Sequence, residues 1–359
     1  MLRAGLIGLP STGKTTLLRL LSQSGEGSGK TGGRAEPQVG VARVPDPRLD
    51  RLTELFKPKR HVPATVEVTE LAGHGGAKAL LDVSSFRNAD ALLHVLRMFH
   101  DERVPHAAGN VDPARDFRQM EDELILADLG VAERRLERIR QDLKKGKSRE
   151  LDEEARVIAH CRTTLEDGQP LRTLSLDAAD TKRLRGFSFL SAKPLLVVLN
   201  LDETDVSDPA GAIERAGLTE ALSGAATETV PVCAKIELEI AQLPPDDCAA
   251  FLDDLGLADS GLDRVIRASY QLLGYISFFT VGEDECRAWT VRKGASAPEA
   301  GGTIHSDIER GFIRAEVMRY EDFIDAGTEP EARNRGHLST RGRDYIVEDG
   351  DIMHFLHSG

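Results

Sequence analysis

Gly8-Leu9-Pro10-Ser11-Thr12-Gly13-Lys14-Thr15 is the stretch on which the fold class turns. Four residues separate Gly8 from Gly13-Lys14-Thr15, the spacing of a phosphate-binding loop. An apolar, strand-like run from Arg3 to Gly8 precedes it, and Thr16-Leu17-Leu18-Arg19-Leu20-Leu21 continues it as a helix. Glycines at Gly8 and Gly13 let backbone N–H groups of the loop, with Ser11, Thr12 and Thr16 beside them, wrap a β-phosphate, and the helix N-terminus adds its positive end. Lys14 is placed to meet the β- and γ-phosphates, and the Thr15 hydroxyl to ligate Mg²⁺. A glycine-rich turn without a ligand is the plain alternative, and the flanking strand and helix argue against it. Gly29-Lys30-Thr31 repeats the tripeptide, but Ser24 replaces the first glycine and no strand leads in, so it reads as loop.

Outward from that loop, short apolar runs alternate with helical periodicity, the pattern of a parallel sheet covered by helices. Strands are expected near Arg3–Gly8, Val39–Val44, Thr65–Leu71, Ala91–Arg97, Pro194–Asn200 and Glu228–Ala234. Between Asp112 and Ser191 the composition turns to Leu, Glu, Arg and Lys. Leu129, Ala132, Leu136, Ile139 and Leu143 step by three and four, the seam of a coiled-coil helix, and Leu151, Ala155, Ile158 and Leu165 resume it. Two antiparallel helices with a turn near Lys145–Glu150 follow, and Val131 to Arg149 holds eight Lys/Arg against three Asp/Glu. From Ile276 strand-like alternation returns in Ile276–Val281, Cys286–Val291, Phe312–Met318, Asp344–Val347 and Ile352–Phe355, with helical stretches near Ile304–Arg310 and Tyr320–Ala326. The expected division is 1–112 with 192–275 as a nucleotide-binding α/β domain, 113–191 as a helical arm, and 276–359 as a small α+β domain.

The 359 residues carry a formal charge of −13, which argues against a uniformly basic nucleic-acid coat and leaves room for a local RNA patch. No DNA sequence specificity is expected. No apolar run is long enough to span a bilayer, and the start lacks a signal-like apolar core. Cys161, Cys233, Cys248 and Cys286 show no paired spacing, so neither disulfide frame nor zinc knuckle is implied, and a cytoplasmic location is expected.

Base selection falls to later loops. Pro194-Leu195-Leu196-Val197-Val198-Leu199 leads into Asn200-Leu201-Asp202-Glu203, where a GTPase shows Asn-Lys-x-Asp. Glu203 is a methylene longer than the guanine-reading aspartate, and Leu201 replaces the lysine that packs on the base. Both changes weaken a preference for GTP without excluding it. Val232-Cys233-Ala234-Lys235 fits the last base-contacting loop, through Ala234 and Lys235.

At these residues the chain resembles the YchF/Obg-like ATPase family of translation-factor-related P-loop NTPases. Val44-Pro45-Asp46-Pro47-Arg48-Leu49, Val111-Asp112-Pro113-Ala114-Arg115-Asp116, Asn200-Leu201-Asp202-Glu203 and Ala234-Lys235-Ile236-Glu237 are similar to family blocks. The run Ile304-His305-Ser306-Asp307-Ile308-Glu309-Arg310-Gly311-Phe312-Ile313-Arg314-Ala315-Glu316 is the most specific. The resemblance implies a G domain, an inserted helical arm and a carboxy-terminal TGS-type (ubiquitin-like β-grasp) domain. It also implies weak ATP or GTP hydrolysis with Mg²⁺, a lean towards ATP, and association with ribosomes or RNA.

Three departures from the family pattern bear on turnover. Aligned on Glu36-Pro37, the first-switch threonine is Arg34 here, with Thr31 nearby as a substitute. The aspartate of the family's Asp-x-Ala-Gly is Glu70, which can hold a magnesium-bound water after a small shift. After Gly73, His74 stands where the family has a hydrophobic residue. It can orient the attacking water, or it can be a solvent-facing loop histidine. Three readings therefore stand: a slow ATPase whose nucleotide state regulates ribosome binding, a nucleotide-gated module with little hydrolysis, and an ordinary GTPase. Elsewhere Trp289, Phe312, Tyr320 and Tyr345 read mostly as core, with Arg287, Arg292, Lys293, Arg310 and Arg314 as the available basic patch. His354 and His357 fall on opposite faces of a strand and make no metal pair, and Asp46 and Asp50 read as turn and helix-start residues.

Overall fold

The computed structural model describes residues 2–23, 38–70, 83–223 and 227–358. The expectations for Thr31, Arg34, Gly73, His74 and the second Gly-Lys-Thr lie outside the described residues.

Along the chain run β1 (Leu2–Ile7), α1 (Lys14–Gln23), β2 (Gln38–Arg43), α2 (Pro47–Phe56), β3 (Arg60–Val62), β4 (Thr65–Glu70) and β5 (Ala91–Arg97). Then come α3 (Pro113–Leu143), α4 (Arg149–Glu166), α5 (Ala178–Leu184), β6 (Leu195–Asn200), α6 (Pro209–Arg215), β7 (Thr227–Val232), α7 (Ala234–Ile240), α8 (Pro245–Asp254) and α9 (Gly261–Leu272). The remainder forms β8 (Tyr275–Thr280), β9 (Glu285–Arg292), α10 (Ala297–Ile304), α11 (Ser306–Arg310), β10 (Phe312–Arg319), α12 (Tyr320–Ala326), α13 (Glu329–Asn334), β11 (Ser339–Arg341) and β12 (Asp351–His357). Two compact units result: Met1–Ala42 with Glu67–Leu272, and Arg43–Val66 with Leu273–Gly359. This differs from the sequence-based division, because Arg43–Val66 leaves the first sheet between β2 and β4 and joins the second unit.

In the first unit the strand order is β2-β4-β1-β5-β6-β7, with β1, β5, β6 and β7 paired in parallel. Every residue of β5 and β6 is buried, as apolar strands covered on both faces must be. Leu92, Leu96, Val197 and Leu199 pack with Phe117, Met120 and Leu124 of α3. Leu93, Val95 and Val198 face a small cavity shared with Leu17 and Leu21 of α1 and Leu262 and Val265 of α9.

One polar residue interrupts β5. His94 is fully buried, stacks on Phe117 at 5.7 Å, and neither ring nitrogen has a hydrogen-bond partner among the described residues. Burial first, and the charges of Lys14 and Arg172 after it, depress its pKa to about 3. The unfolded chain takes up this proton near the ordinary histidine value of about 6.5, while the folded chain refuses it until about pH 3. Stability therefore falls as pH drops through that window, by about 2 kcal/mol at pH 5. His94→Phe keeps the ring stack and removes two orphaned nitrogens, so denaturant titration is expected to show a more stable protein with a weaker acid sensitivity. A less stable variant with unchanged acid sensitivity would contradict this.

α3 and α4 form a hairpin joined by residues 144–148, with Ser148 capping α4 through Leu151 N–H at 3.4 Å. Ala132 and Ile139 of the expected seam are buried, and Ala132, Ile158 and Leu165 share one cluster, with Leu129 and Leu136 against it. Arg135 clamps Glu154 with two bonds at 2.6 and 2.8 Å. At the hairpin's root, buried Asp128 accepts from Leu190 N–H, Ser191 N–H and the Ser191 hydroxyl at 3.0, 2.7 and 2.8 Å. Four acceptances, counting Arg87 Nη1 at 3.3 Å, satisfy that carboxylate.

The second unit has the strand order β11-β10-β12-β8-β9-β3, antiparallel except for the β12/β8 and β9/β3 pairs. Phe278, Val291, Phe312, Val317 and Met353 make one core against α10. α2 begins where Asp46 accepts Arg48 N–H and Pro47 fixes the first turn, and it buries Leu49 and Leu52. Phe56 stacks on Phe323 at 5.3 Å, and Arg48 joins Asp46 to Asp349, so the Asp46 assignment as a helix start holds. Two sequence expectations are corrected here. Asp344–Val347 forms no strand and gives a single bridge, Ser296 to Ile346, its backbone bonding to Ala295 and Ala297 at the start of α10 instead of to a neighbouring strand. The stretch Ile304–Arg310 is broken at His305, whose extended backbone ends α10 and whose Nδ1 accepts Asp307 N–H at 3.2 Å to start α11.

Candidate functional site

The loop leaving β1 is held by two close approaches. Gly8 has φ 142°, and a Cβ there would lie 2.5 Å from the Val95 carbonyl of β5. Gly13 has φ 99°, and a Cβ would run into the Asn200 amide. Between them Ser11 is exposed in the left-handed region at φ 64°, while the buried Thr12 hydroxyl donates to Leu9 O at 3.1 Å. Lys14, Thr15 and Thr16 form the first turn of α1, with Leu17 N–H donating to Gly13 O. The loop amides thus converge on a helix N-terminus.

Lys14 folds back over the loop and donates from Nζ to Gly8 O at 3.0 Å and Leu9 O at 2.7 Å. Burial lowers its pKa, and the negative charge of Glu70 opposes this. Glu70, the last residue of β4, accepts from the Thr15 hydroxyl at 2.9 Å on Oε1, while its buried Oε2 has no partner among the described residues. Burial raises the Glu70 pKa against the pull of the Thr15 bond, Lys14 and Arg19. A hydroxyl beside an under-satisfied carboxylate is an all-oxygen donor pair, the chemistry a hard divalent cation takes, so these residues fit Mg²⁺.

The loop pair expected to read the base is tied to the phosphate loop. Asn200 donates from Nδ2 to Thr12 O at 2.9 Å and accepts Ala234 N–H on Oδ1 at 3.0 Å. Both of its polar atoms are thereby engaged, so Asn200 braces two loops. Leu201 is 2% exposed inside the core, which leaves its side chain no face for a base. Glu203 pairs with Lys235, and that bond raises the exposed lysine's pKa. The structure thus brings together Gly8, Ser11, Thr12, Gly13, Lys14, Thr15, Glu70, Asn200 and Ala234, with Glu203 and Lys235 joined to one another; His74 is not among the described residues.

Sequence reading passed over Arg97, the polar end of an apolar strand. It lies beside Asn200 in the β5/β6 register, 2% exposed, and donates to Phe99 O at 3.1 Å and Asp101 O at 3.3 Å. The loop it shapes reaches Asp202 through His100 N–H at 3.3 Å. The signal was present in the arginine that closes Ala91–Arg97. A separate cavity of about 590 Å³, lined by Phe117, Glu121, Arg172 and Glu220 among others, adjoins the start of β7 and holds none of the expected site residues.

A parallel sheet, a glycine loop on the end of its first strand and a lysine at the following helix start define a P-loop nucleotide-binding protein. The family model YchF-GTPase_C, described as a protein of unknown function (DUF933), matches residues 275–358. The ribosome-binding ATPase YchF of Bacillus subtilis (strain 168) is 41% identical over 361 residues, 99% of this chain and 98% of its own. Obg-like ATPase 1 of Oryza sativa subsp. japonica is 32% identical over 363 residues, 99% of this chain and 91% of its own. The solved Schizosaccharomyces pombe YchF GTPase superposes with a TM-score of 0.87 at 31% identity, covering 99% of this chain and 97% of that one. The chain belongs to the YchF family.

Proposed function

We propose that this protein binds ATP with Mg²⁺ on the Gly8–Thr15 loop, hydrolyses it slowly, and uses nucleotide state to regulate association with the ribosome in the cytoplasm. The observation that carries this reading is Lys14 folded onto Gly8 O and Leu9 O beside the Thr15–Glu70 pair: a cation and an oxygen donor set around a loop of amides. Binding exchanges the two carbonyl partners of Lys14 for phosphate oxygens, and loop amides and lysine together neutralise charge on the transferring group. Thr15, with Glu70 through a water, would hold Mg²⁺, which when bound offsets charge on the β- and γ-phosphates. His74 is the proposed residue for orienting water.

Purine selection rests on weaker contacts. Glu203 is committed to Lys235 and Leu201 to the core, which supports relaxed selection between ATP and GTP. Competition of the two against a fluorescent nucleotide is expected to show no strong preference for GTP; a strong one would favour the GTPase reading. A second reading, nucleotide-gated binding without turnover, is favoured by the direct Thr15–Glu70 bond, since the longer side chain occupies the hydroxyl itself. Single-turnover hydrolysis decides between them: a rate no higher than that of Lys14→Ala removes the enzyme.

The name of the Bacillus subtilis relative, a ribosome-binding ATPase, supports a ribosomal partner, and the basic hairpin tip is the proposed contact, with residues 276–359 as a TGS-type domain. Lys144, Lys145 and Lys147 are exposed at that tip, Lys145 pairing with Asp142 at 3.0 Å. Reversing the three charges is expected to weaken ribosome pelleting about tenfold or more at 0.15 M salt and to flatten its salt dependence. Unchanged pelleting would remove the tip from the interface. Among the described residues no helix is long and apolar enough to cross a membrane.

A further inference from the structure

Behind Val232–Lys235, where β7 turns into α7, two buried polar atoms of opposite character lack partners among the described residues. Glu237 of α7 is 3% exposed. Its Oε1 accepts Gly261 N–H at 2.6 Å and so caps α9, and a Cβ on Gly261 would come within 2.9 Å of that oxygen. Its Oε2 is buried with no hydrogen bond among the described residues. Arg264, one turn into α9, donates from Nη2 to Pro231 O at 3.0 Å, and its Nε is likewise buried and unpartnered. Glu237 and Arg264 line the same small cavity of about 10 Å³, together with Leu201, Val232, Cys233 and Ile236.

An unmet acceptor and an unmet donor each cost stability when buried, more where the group is charged. The two side chains form no ion pair with each other. A cavity of this size is about what one water needs, and buried waters sit where they find two to four polar partners. Arg264 Nε–H supplies a donor and Glu237 Oε2 an acceptor, so a single water can take one bond and give the other.

We propose that one internal water bridges Arg264 Nε and Glu237 Oε2, and that this bridge positions the turn at Cys233 and the start of α7, Ala234 and Lys235. Arg264 holds the carbonyl of Pro231 at the end of β7, and Glu237 lies one turn into α7, whose first turn closes with Glu237 N–H donating to Cys233 O at 3.0 Å. Ala234 N–H then reaches Asn200 and, through it, the phosphate loop. The positioning half rests on the nucleotide reading given above; the water itself does not.

A crystal structure of the full chain without nucleotide, at a resolution that shows ordered water, tests the first half. One water within hydrogen-bond distance of both atoms is expected; an empty cavity, or a direct Arg264–Glu237 contact, overturns the proposal. Glu237→Gln keeps the cap on α9 and alters the bridge, and it is expected to bind a fluorescent ATP analogue about three- to tenfold more weakly at nearly unchanged melting temperature. Arg264→Lys, which loses Nε, is the second variant should the first fail to fold, with the same expectation. Parental affinity in a folded variant overturns the positioning role, while a parental protein that binds no nucleotide overturns the P-loop reading and leaves the crystallographic result to stand by itself.

Discussion

Lys14→Ala is expected to lower affinity for ATP by about 100-fold or more and to abolish single-turnover hydrolysis. The ammonium is the cation that the loop itself supplies, and charge-assisted bonds to two phosphates are each worth about 1.5–3 kcal/mol. In the structure that ammonium is spent on two carbonyls, Gly8 O and Leu9 O, at 3.0 and 2.7 Å. Its pKa is lowered by burial, so the folded loop holds the charge at a cost. Alanine relieves that cost, and the variant should melt close to the parent while losing the stabilisation that ATP gives. Lys14→Met preserves the stem and should behave the same way. A variant that binds ATP like the parent would take Lys14 out of the site.

The second large effect is expected at Asn200. Asn200→Ala leaves Thr12 O and Ala234 N–H without their partners in a buried setting, which should destabilise the protein by about 2–4 kcal/mol in denaturant titrations. Asn200→Asp separates the two bonds: its oxygen still accepts from Ala234, but a second oxygen now faces the Thr12 carbonyl. Because Asn200 braces loops and spends both polar atoms doing so, ATP and GTP should weaken together in either variant. Loss confined to GTP would show that the side chain reads the base instead.

How much of this was legible in the amino-acid order follows the range of each interaction. The loop from Gly8 to Thr15 is local, and its constraints are carried by glycine, so its string could be read directly. β5 and β6 were readable because a parallel strand buried on both faces is apolar throughout. The brace through Asn200 was not, since it joins residues 188 positions apart and depends on which way an amide turns. Likewise α2 and β3 lie between two strands of the first sheet, and nothing in Arg43–Val66 announces that its strand pairs with β9. His94 sits inside an otherwise apolar run, where periodicity identifies the strand and says nothing about an unpartnered ring. The Glu237 cap needs Gly261, a glycine whose neighbour comes from another helix. Leu201 aligns with a base-packing lysine, whereas its burial is set by the core beneath it.

Titration calorimetry of the Mg²⁺-replete protein with ATP, and in parallel with GTP, addresses the site most directly. Saturable one-to-one heat with ATP, absent from Lys14→Ala, is the expected result. Neither purine triphosphate giving heat with folded parent protein would contradict the assignment of the Gly8–Thr15 loop as a nucleotide cradle.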